Sequence, residues 1–574
     1  MRHTFSLETK QIEDNIAKLS SYLRENSIDA AYVSSFDIFM NEYVPMQECH
    51  RYYVTGFSGS VAEALVLASG KCLVFVDGRY HEQVDIEVEA KNVEAVKCPF
   101  GEVLFDSLCK KVEELKVSKI LINGDRSSLK SLSKFKKVAK EVSVSNDDLF
   151  SKFLELSEFS KDAVLEEISE LESSNLKVDK ILKEGEAFWV TALDSISWVT
   201  NLRGYGLPFQ SSFMARCLVK KSKIELAIPE NYSVADVDTF IDISKTNLKS
   251  FSSKVDLTGI ERVFYDPDLI NVTDFIKLEE SLGADKLCPK NLGIIGIHAV
   301  KSSDEMKKID DAFNRGDRAI SNTINWAKTS FDKGESFSEL DVFHKTTEFY
   351  EEQGSKSQSF GTISGIGPNS SIIHYSSPSA EVMATEGELL LLDSGGFFEG
   401  GFATDTTRTI FLGKGKPSEK QKLIYTLVLK GVLQAQNAIF PEGTWGSHID
   451  ALARNPILSA GFNYAHGTGH GVGINVHEGG LRFSPTSSIP IKKGNVGSIE
   501  PGIYLPGFGG VRLENIVTVE EHPEHKGLLH FRPLVYIGYD HSLINFELLE
   551  SSEKKWLSDY ELECEKRGTL YPST

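Results

Sequence analysis

Cysteine is scarce in this chain. Seven of the 574 residues are cysteines, an odd number scattered from Cys49 to Cys564 with no C-x-x-C pair. That pattern excludes a disulfide framework and a zinc ribbon, and it fits reduced thiols in a cytoplasm. No run approaches the roughly 20 apolar residues of a membrane span. The opening residues, MRHTFSLETKQIEDNIAKL, lack the apolar segment of a secretory signal. Basic side chains are outnumbered, with 62 Lys and Arg against 82 Asp and Glu, and the formal net charge is −20. That balance argues against a general nucleic-acid binder and favours solubility, without identifying a substrate. A low-complexity linker is also missing.

What is present describes an ordinary globular protein: 41% hydrophobic and 25% charged residues, in a chain too long for a single core. Ile12, Ile16, Leu19 and Leu23 mark one face of a helix over residues 8–25. The stretches Ala30–Ser35, Leu65–Leu67 and Cys72–Val76 read as strands, and a helix follows from Tyr80 to Glu89. Strands alternating with helices predict an α/β domain. Ala30–Asp37 resembles Ala187–Asp194, and Tyr53-Val54-Thr55 resembles Trp198-Val199-Thr200, which predicts a duplicated α/β domain. The polar stretch 157–183 would open the second copy with a helix. A third region begins near His298. Ser302 with Glu305, and Ser418 with Gln421, have the form of capping boxes, and a further helix covers Ser338 to Glu352. Strands are expected over Val496–Tyr504 and Val511–Val519. This last region mixes paired strands with long helices and reads as α+β. The divisions fall at 1–155, 156–297 and 298–574.

Within the third region, ELLLLDSGGFFEGGFATDTTRTIFLG (388–413) predicts a β-hairpin turning at Glu399-Gly400-Gly401. It carries Asp393 at the end of one strand and Asp405 early in the next. A carboxylate after four leucines needs a positive partner, either Arg408 or a metal ion. Four other stretches hold unusual polar residues. His374 follows an apolar pair. His466 and His470 lie in a loop of alternating glycines, with His477-Glu478 just beyond. Glu500 precedes a proline, and Arg512 and Glu514 are placed on one face of a strand. The glycines do not spell a dinucleotide or P-loop motif, and the histidines do not form H-E-x-x-H. Two Asp, two Glu and one His at strand ends and turns suit divalent cations of the Mn²⁺, Co²⁺, Fe²⁺ or Zn²⁺ type. Five such side chains exceed the needs of one catalytic ion and suit two ions sharing carboxylates.

The chain resembles the pita-bread metallopeptidases, and within them the three-domain, cytosolic-type aminopeptidase P branch. The resemblance rests on Asp393 with Gly395, Asp405-Thr406-Thr407-Arg408-Thr409, His466-Gly467-Thr468-Gly469-His470-Gly471, Glu500-Pro501-Gly502 and Arg512-Leu513-Glu514-Asn515. Thr55–Ser60 with Asp77-Gly78-Arg79-Tyr80, and Trp198–Gly204, match the first and second domains. The resemblance implies two creatinase-like N-terminal α/β domains followed by a pita-bread catalytic domain. It implies Asp393, Asp405, His470, Glu500 and Glu514 as ligands of two divalent ions, with Mn²⁺ first and Zn²⁺ or Co²⁺ as alternatives. A metal-bridging hydroxide would attack the N-terminal Xaa–Pro bond of peptides with proline second. His374 would stabilise the developing charge, His477 would bond the substrate backbone and His466 would line the proline subsite. Arg512 would support the ligands from behind, and Arg79 would reach the peptide beyond the proline. A homodimer is also implied.

This chain departs from the family pattern in two loops. The Asp393–Asp405 interval is one residue longer than the family usually has, which predicts a β-bulge near Gly400-Gly401. The His470–His477 loop is shorter than in most three-domain members. Prolidase, a dipeptidase of the same chemistry, is the rival reading, and a metal-free binding module is the other.

Overall fold

A computed structural model describes residues 5–570 apart from 155, 157–161, 169 and 236. The chain divides into two compact units, one ending at Ile294 and the other beginning at Ile295. Among the described residues no helix is long and apolar enough to cross a membrane. The seven cysteines are all free thiols.

Two six-stranded sheets of one topology dominate the N-terminal unit. The first contains β1 (Ala30–Ser34), β2 (Glu63–Leu67), β3 (Cys72–Val76), β4 (Val93–Lys97), β5 (Lys119–Asn123) and β6 (Glu141–Ser145), in the order β4-β3-β2-β1-β5-β6. The second contains β7 (Glu186–Val190), β8 (Arg216–Lys220), β9 (Ile224–Ile228), β10 (Ile241–Lys245), β11 (Arg262–Tyr265) and β12 (Leu287–Pro289), ordered β10-β9-β8-β7-β11-β12. The pairing directions also agree strand for strand. In β1 alternate residues serve two cores, Ala31 and Val33 on one face and Ala30 and Tyr32 on the other. That is why this strand reads as an unbroken apolar run.

The short repeat seen in the sequence marks a shared helix ending. Helices α1 (His50–Thr55) and α2 (Leu193–Thr200) both finish on a threonine followed by a left-handed residue, Gly56 at φ +71° and Asn201 at φ +59°. In each, the threonine hydroxyl donates back to the carbonyl four residues earlier, Thr55 to Arg51 at 2.9 Å and Thr200 to Ile196 at 2.7 Å. It then accepts the N–H two residues on, at 3.2 Å from Phe57 and 3.3 Å from Leu202. The stretch 157–183, expected to open the second copy, lies partly outside the described residues. Its described part carries a helix at Ser174–Ile181.

In the C-terminal unit the capping boxes form as their residues require. The Ser302 hydroxyl accepts the Glu305 N–H while the Glu305 carboxylate accepts the Ser302 N–H at 2.7 Å, and Ser418 pairs with Gln421 in the same way. They open α3 (Ser303–Lys333) and α5 (Glu419–Gln436), with α4 (Glu339–Glu352) between. α3 stops at Gly334, whose φ of +79° ends the helix. A three-stranded antiparallel sheet joins β13 (Ile363–Ile366), β14 (Glu388–Ser394) and β15 (Thr406–Leu412). A larger sheet contains β16 (Ile439–Pro441), β17 (Gly469–Gly471), β18 (Glu478–Phe483), β19 (Val496–Ile499), β22 (Asn515–Glu521) and β23 (Leu528–Pro533), ordered β16-β23-β22-β19-β17-β18. A separate hairpin pairs β20 (Gly502–Leu505) with β21 (Gly509–Arg512).

The two strands expected over Val496–Tyr504 and Val511–Val519 are therefore each broken, the first at Glu500-Pro501 and the second at Leu513-Glu514. β19 pairs with β22 inside the large sheet, whereas β20 pairs only with β21. Pro501 has no N–H to continue the ladder. Both breaks put a glutamate where the chain leaves one sheet for another.

Candidate metal centre

β14 and β15 pair without a shift over seven rungs, from Glu388 opposite Leu412 to Ser394 opposite Thr406. The expected bulge is absent from this ladder. The chain turns instead within the 395–405 connection, where Gly400 and Gly401 adopt φ of +96° and +69° and Phe397 bridges Ala403. Gly395 lets that connection close, because a Cβ there would lie 1.8 Å from the Thr404 carbonyl oxygen. Asp393 sits opposite Thr407, and Asp405 precedes Thr407 by two residues. Both carboxylates therefore belong to one face of the sheet.

Arg408 lies opposite Leu392 and so on the other face. Its guanidinium donates to the Glu514 carbonyl at 2.6 Å, the Asn515 Oδ1 at 2.8 Å and the Ile537 carbonyl at 2.8 Å. That excludes Arg408 as the partner of Asp393. Arg512 takes that place, its Nη2 donating to Asp393 Oδ2 at 2.5 Å. Arg512 and Glu514 do not share a strand, since β21 ends at Arg512. Glu514 is instead drawn in by Thr407: its N–H donates to the Thr407 carbonyl at 3.1 Å, and the Thr407 hydroxyl donates to its Oε2 at 2.9 Å.

The alternating glycines around His470 are explained by close packing. A Cβ on Gly469 would sit 1.9 Å from the Ser498 carbonyl oxygen. The Ser498 hydroxyl accepts the His470 N–H at 3.0 Å and donates to Glu500 Oε1 at 3.2 Å, while the Glu500 N–H donates to the Thr468 carbonyl at 2.7 Å. His470 Nδ1 donates to the Gly471 carbonyl at 3.0 Å. In the neutral ring this leaves the Nε2 lone pair directed at Asp405 Oδ2, 3.6 Å away, and Glu500 Oε1, 3.4 Å away. A lone pair facing two carboxylates calls for a cation between them.

Electrostatics add to that demand. Burial, then the nearby Glu514, Asp393 and Glu500, push the Asp405 carboxyl well up. Burial, then Glu500 and Asp393, do the same to Glu514. Glu500 rises to about 7, chiefly through burial, with Arg512 opposing. Asp393 Oδ1 and Glu514 Oε1 are buried with no hydrogen-bond donor, an unfavourable state that bound cations would relieve. Ligand atoms of Asp405, His470 and Glu514 lie within 4.8 Å of one another. The donor set of oxygens and one imidazole nitrogen fits divalent cations.

Three family models match this chain: metallopeptidase family M24 over residues 307–521, and the creatinase/prolidase N-terminal domain over 15–150 and again over 163–287. A Laccaria bicolor protein named "Probable Xaa-Pro aminopeptidase P" is 31% identical over 97% of this chain and 90% of its own length. The chain belongs to the Xaa-Pro aminopeptidase P family. An Ajellomyces capsulatus protein of the same name is 30% identical over 97% of this chain and 96% of its own. The crystal structure of X-prolyl aminopeptidase from Caenorhabditis elegans, described as a cytosolic enzyme with a di-nuclear active site, has a TM-score of 0.85 at 24% identity. That likeness covers 97% of this chain and 96% of that one. Two creatinase-type N-terminal domains followed by the M24 pita-bread domain are thus the architecture of this aminopeptidase P family member.

The four remaining expected site residues of this aminopeptidase P relative have different settings. The His477 ring lies 4.4 Å from that of His470, edge to face. His466 is linked to the centre through Tyr504, whose hydroxyl donates to His466 Nε2 at 2.9 Å and accepts from Arg512 Nη1 at 3.0 Å. His374 follows Ile373, whose carbonyl accepts from Arg512 at 3.2 Å. Arg79 belongs to the N-terminal unit, where its guanidinium forks onto Asp77 at 3.0 and 2.8 Å. Sequence reasoning missed Tyr504, and it named Thr407 and Glu478 without giving either a role. Glu478 is 3% exposed and is paired with His298 and Lys301. Tyr504 left a signal as an aromatic close after Glu500-Pro501-Gly502.

Proposed function

We propose that this chain is a dinuclear-metal aminopeptidase that hydrolyses the N-terminal Xaa–Pro bond of peptides. The observation that carries this reading is the inward-facing His470 Nε2 among buried carboxylates, two of them with donor-less oxygens. Asp393, Asp405, His470, Glu500 and Glu514 would hold two divalent cations, Asp405 and Glu514 shared, with Mn²⁺ the favoured metal. When bound, such a pair would supply an acidified water as nucleophile and polarise the scissile carbonyl.

The protein's own groups do the rest. Arg512 restrains Asp393 through Oδ2 and leaves Oδ1 available as a ligand. The Nδ1 bond to Gly471 holds the His470 ring with Nε2 inward. His374 would donate to the charge that develops on the substrate, His477 would bond its backbone, and His466, oriented by Tyr504, would line the proline subsite. Seven free thiols support a cytoplasmic setting, and a homodimer is the expected assembly.

The test is cleavage of a tripeptide with proline second beside the matching Xaa–Pro dipeptide, with metals added singly to metal-free protein. The tripeptide should lose its first residue, with Mn²⁺ the best activator. Asp405→Ala should lose more activity than the roughly 10–100-fold that partners behind metal ligands cost, together with bound metal. Cleavage of the dipeptide alone would make the chain a prolidase. Equal metal contents in the parent and Asp405→Ala would remove the catalytic reading.

A further inference from the structure

His374 lies in a stretch with no strand or α-helix between β13 and β14: a 3₁₀ turn over Gly367–Ser371 and then irregular chain. Such a stretch is placed largely by side chains that satisfy its polar groups. One side chain reaches both ends of it. Glu339, the first residue of α4, is 0% exposed, and its carboxylate accepts four hydrogen bonds, all from residues 366–379. Oε1 accepts the Ile366 N–H at 2.8 Å and Asn369 Nδ2 at 3.0 Å. Oε2 accepts the Tyr375 hydroxyl at 2.7 Å and the Ser379 N–H at 3.1 Å.

Two of these donors precede His374 and two follow it, so a single carboxylate ties the chain entering the His374 segment to the chain leaving it. The backbone reinforces the tie, with the Leu340 N–H donating to the Ser379 carbonyl at 3.2 Å and the Ser364 hydroxyl donating to the Glu339 carbonyl at 2.9 Å. At the tip, the Tyr375 N–H closes a turn onto the Ile372 carbonyl at 3.2 Å, and Arg512 holds the Ile373 carbonyl. The charge is well placed at a helix N-terminus, where the peptide dipoles favour an anion.

We infer that Glu339 is a positioning residue for His374, an inference that rests on the role proposed above for that histidine. Glu339→Gln keeps the volume but turns one acceptor edge into a donor facing two donors. It should lower kcat roughly tenfold to a hundredfold with KM held within about twofold, as expected when a group used in the transition state is misplaced by about 1 Å. In a His374→Ala chain the same change should lower kcat by less than about twofold further, because two residues acting through one contact are not additive.

A second readout does not depend on activity. In ¹³C-histidine NMR of the full chain, the His374 ring signal, identified by its loss in His374→Ala, should shift and broaden in Glu339→Gln while the other histidine signals hold. Tyr375→Phe, which removes one of the four bonds, should move that signal less, and it stands in if Glu339→Gln fails to fold. An unchanged His374 signal in the variants, or equal kcat losses with and without His374, overturns the inference. Full activity of His374→Ala beside a shifted signal overturns instead the catalytic reading of His374, and the positioning role stands.

Discussion

Single side chains in this protein are chosen by their partners across the fold. Glu478 illustrates the energetics. Burial alone would raise its carboxyl, but Lys301 and then His298 outweigh burial and hold it at about 2, below the ordinary 4.5. A carboxyl depressed in the folded state stabilises fully above its unfolded value, and that contribution is lost as pH falls through the folded one. Lys301→Met should therefore destabilise the chain at neutral pH by about 3–5 kcal/mol, the usual result of stranding a buried charge. The difference between parent and variant should persist down to about pH 4.5 and shrink from there toward pH 2. Urea melts of both proteins across that range measure it, and a difference that grew on acidification would contradict the pairing. Arg512 follows the same logic at the metal centre, where it joins Asp393, Tyr504 and the Ile373 carbonyl.

Elements matter here chiefly where they stop. β19 ends one residue before Glu500, and β22 begins one residue after Glu514, so both glutamates sit at chain breaks and not on ladders. The hairpin behaves differently: its ladder is regular, and the turn is confined to the 395–405 connection. Gly395 is the tight point, with no room for a Cβ against the Thr404 carbonyl. Gly395→Ala should cost more than the roughly 1–3 kcal/mol of ordinary overpacking, because backbone cannot yield as a side chain can. Metal affinity should fall with it, since Thr404 adjoins Asp405. Denaturant unfolding beside a metal titration checks both, and an alanine variant with parental stability would mean that the connection adjusts freely. Three of the long helices needed no such tuning. Ser302 with Glu305, Ser338 with Asp341 and Ser418 with Gln421 cap them within four residues of chain.

On the scale of the whole molecule, each of the two compact units has its own cores, while the donor-less carboxylate oxygens of Asp393 and Glu514 belong to the second. Calorimetry should therefore separate two transitions, and chelation should lower one of them. At free metal about a hundredfold above Kd the linkage is about 2.7 kcal/mol, a shift on the order of 5 °C. Equal movement of both transitions, or of neither, would count against a metal site confined to the C-terminal unit.

The sequence by itself determined whatever depends on neighbours a few residues apart. The capping boxes, the hairpin that carries Asp393 and Asp405, and the paired motifs of the duplicated domain were all legible, because hydrogen bonds and side-chain periods of that range are written in consecutive residues. Tertiary structure decided everything that joins distant segments. Arg512 and not Arg408 meets Asp393 because strand parity turns Arg408 away, and more than a hundred residues separate Arg512 from Asp393. Val496–Tyr504 and Val511–Val519 read as two unbroken strands, yet they break at Glu500 and Glu514, because the choice between sheets is made by packing and by Thr407 and Thr468 across the site. Glu339 carried no sequence signal at all: a carboxylate at a helix start looks like an ordinary dipole contact until the loop that holds His374 folds over it.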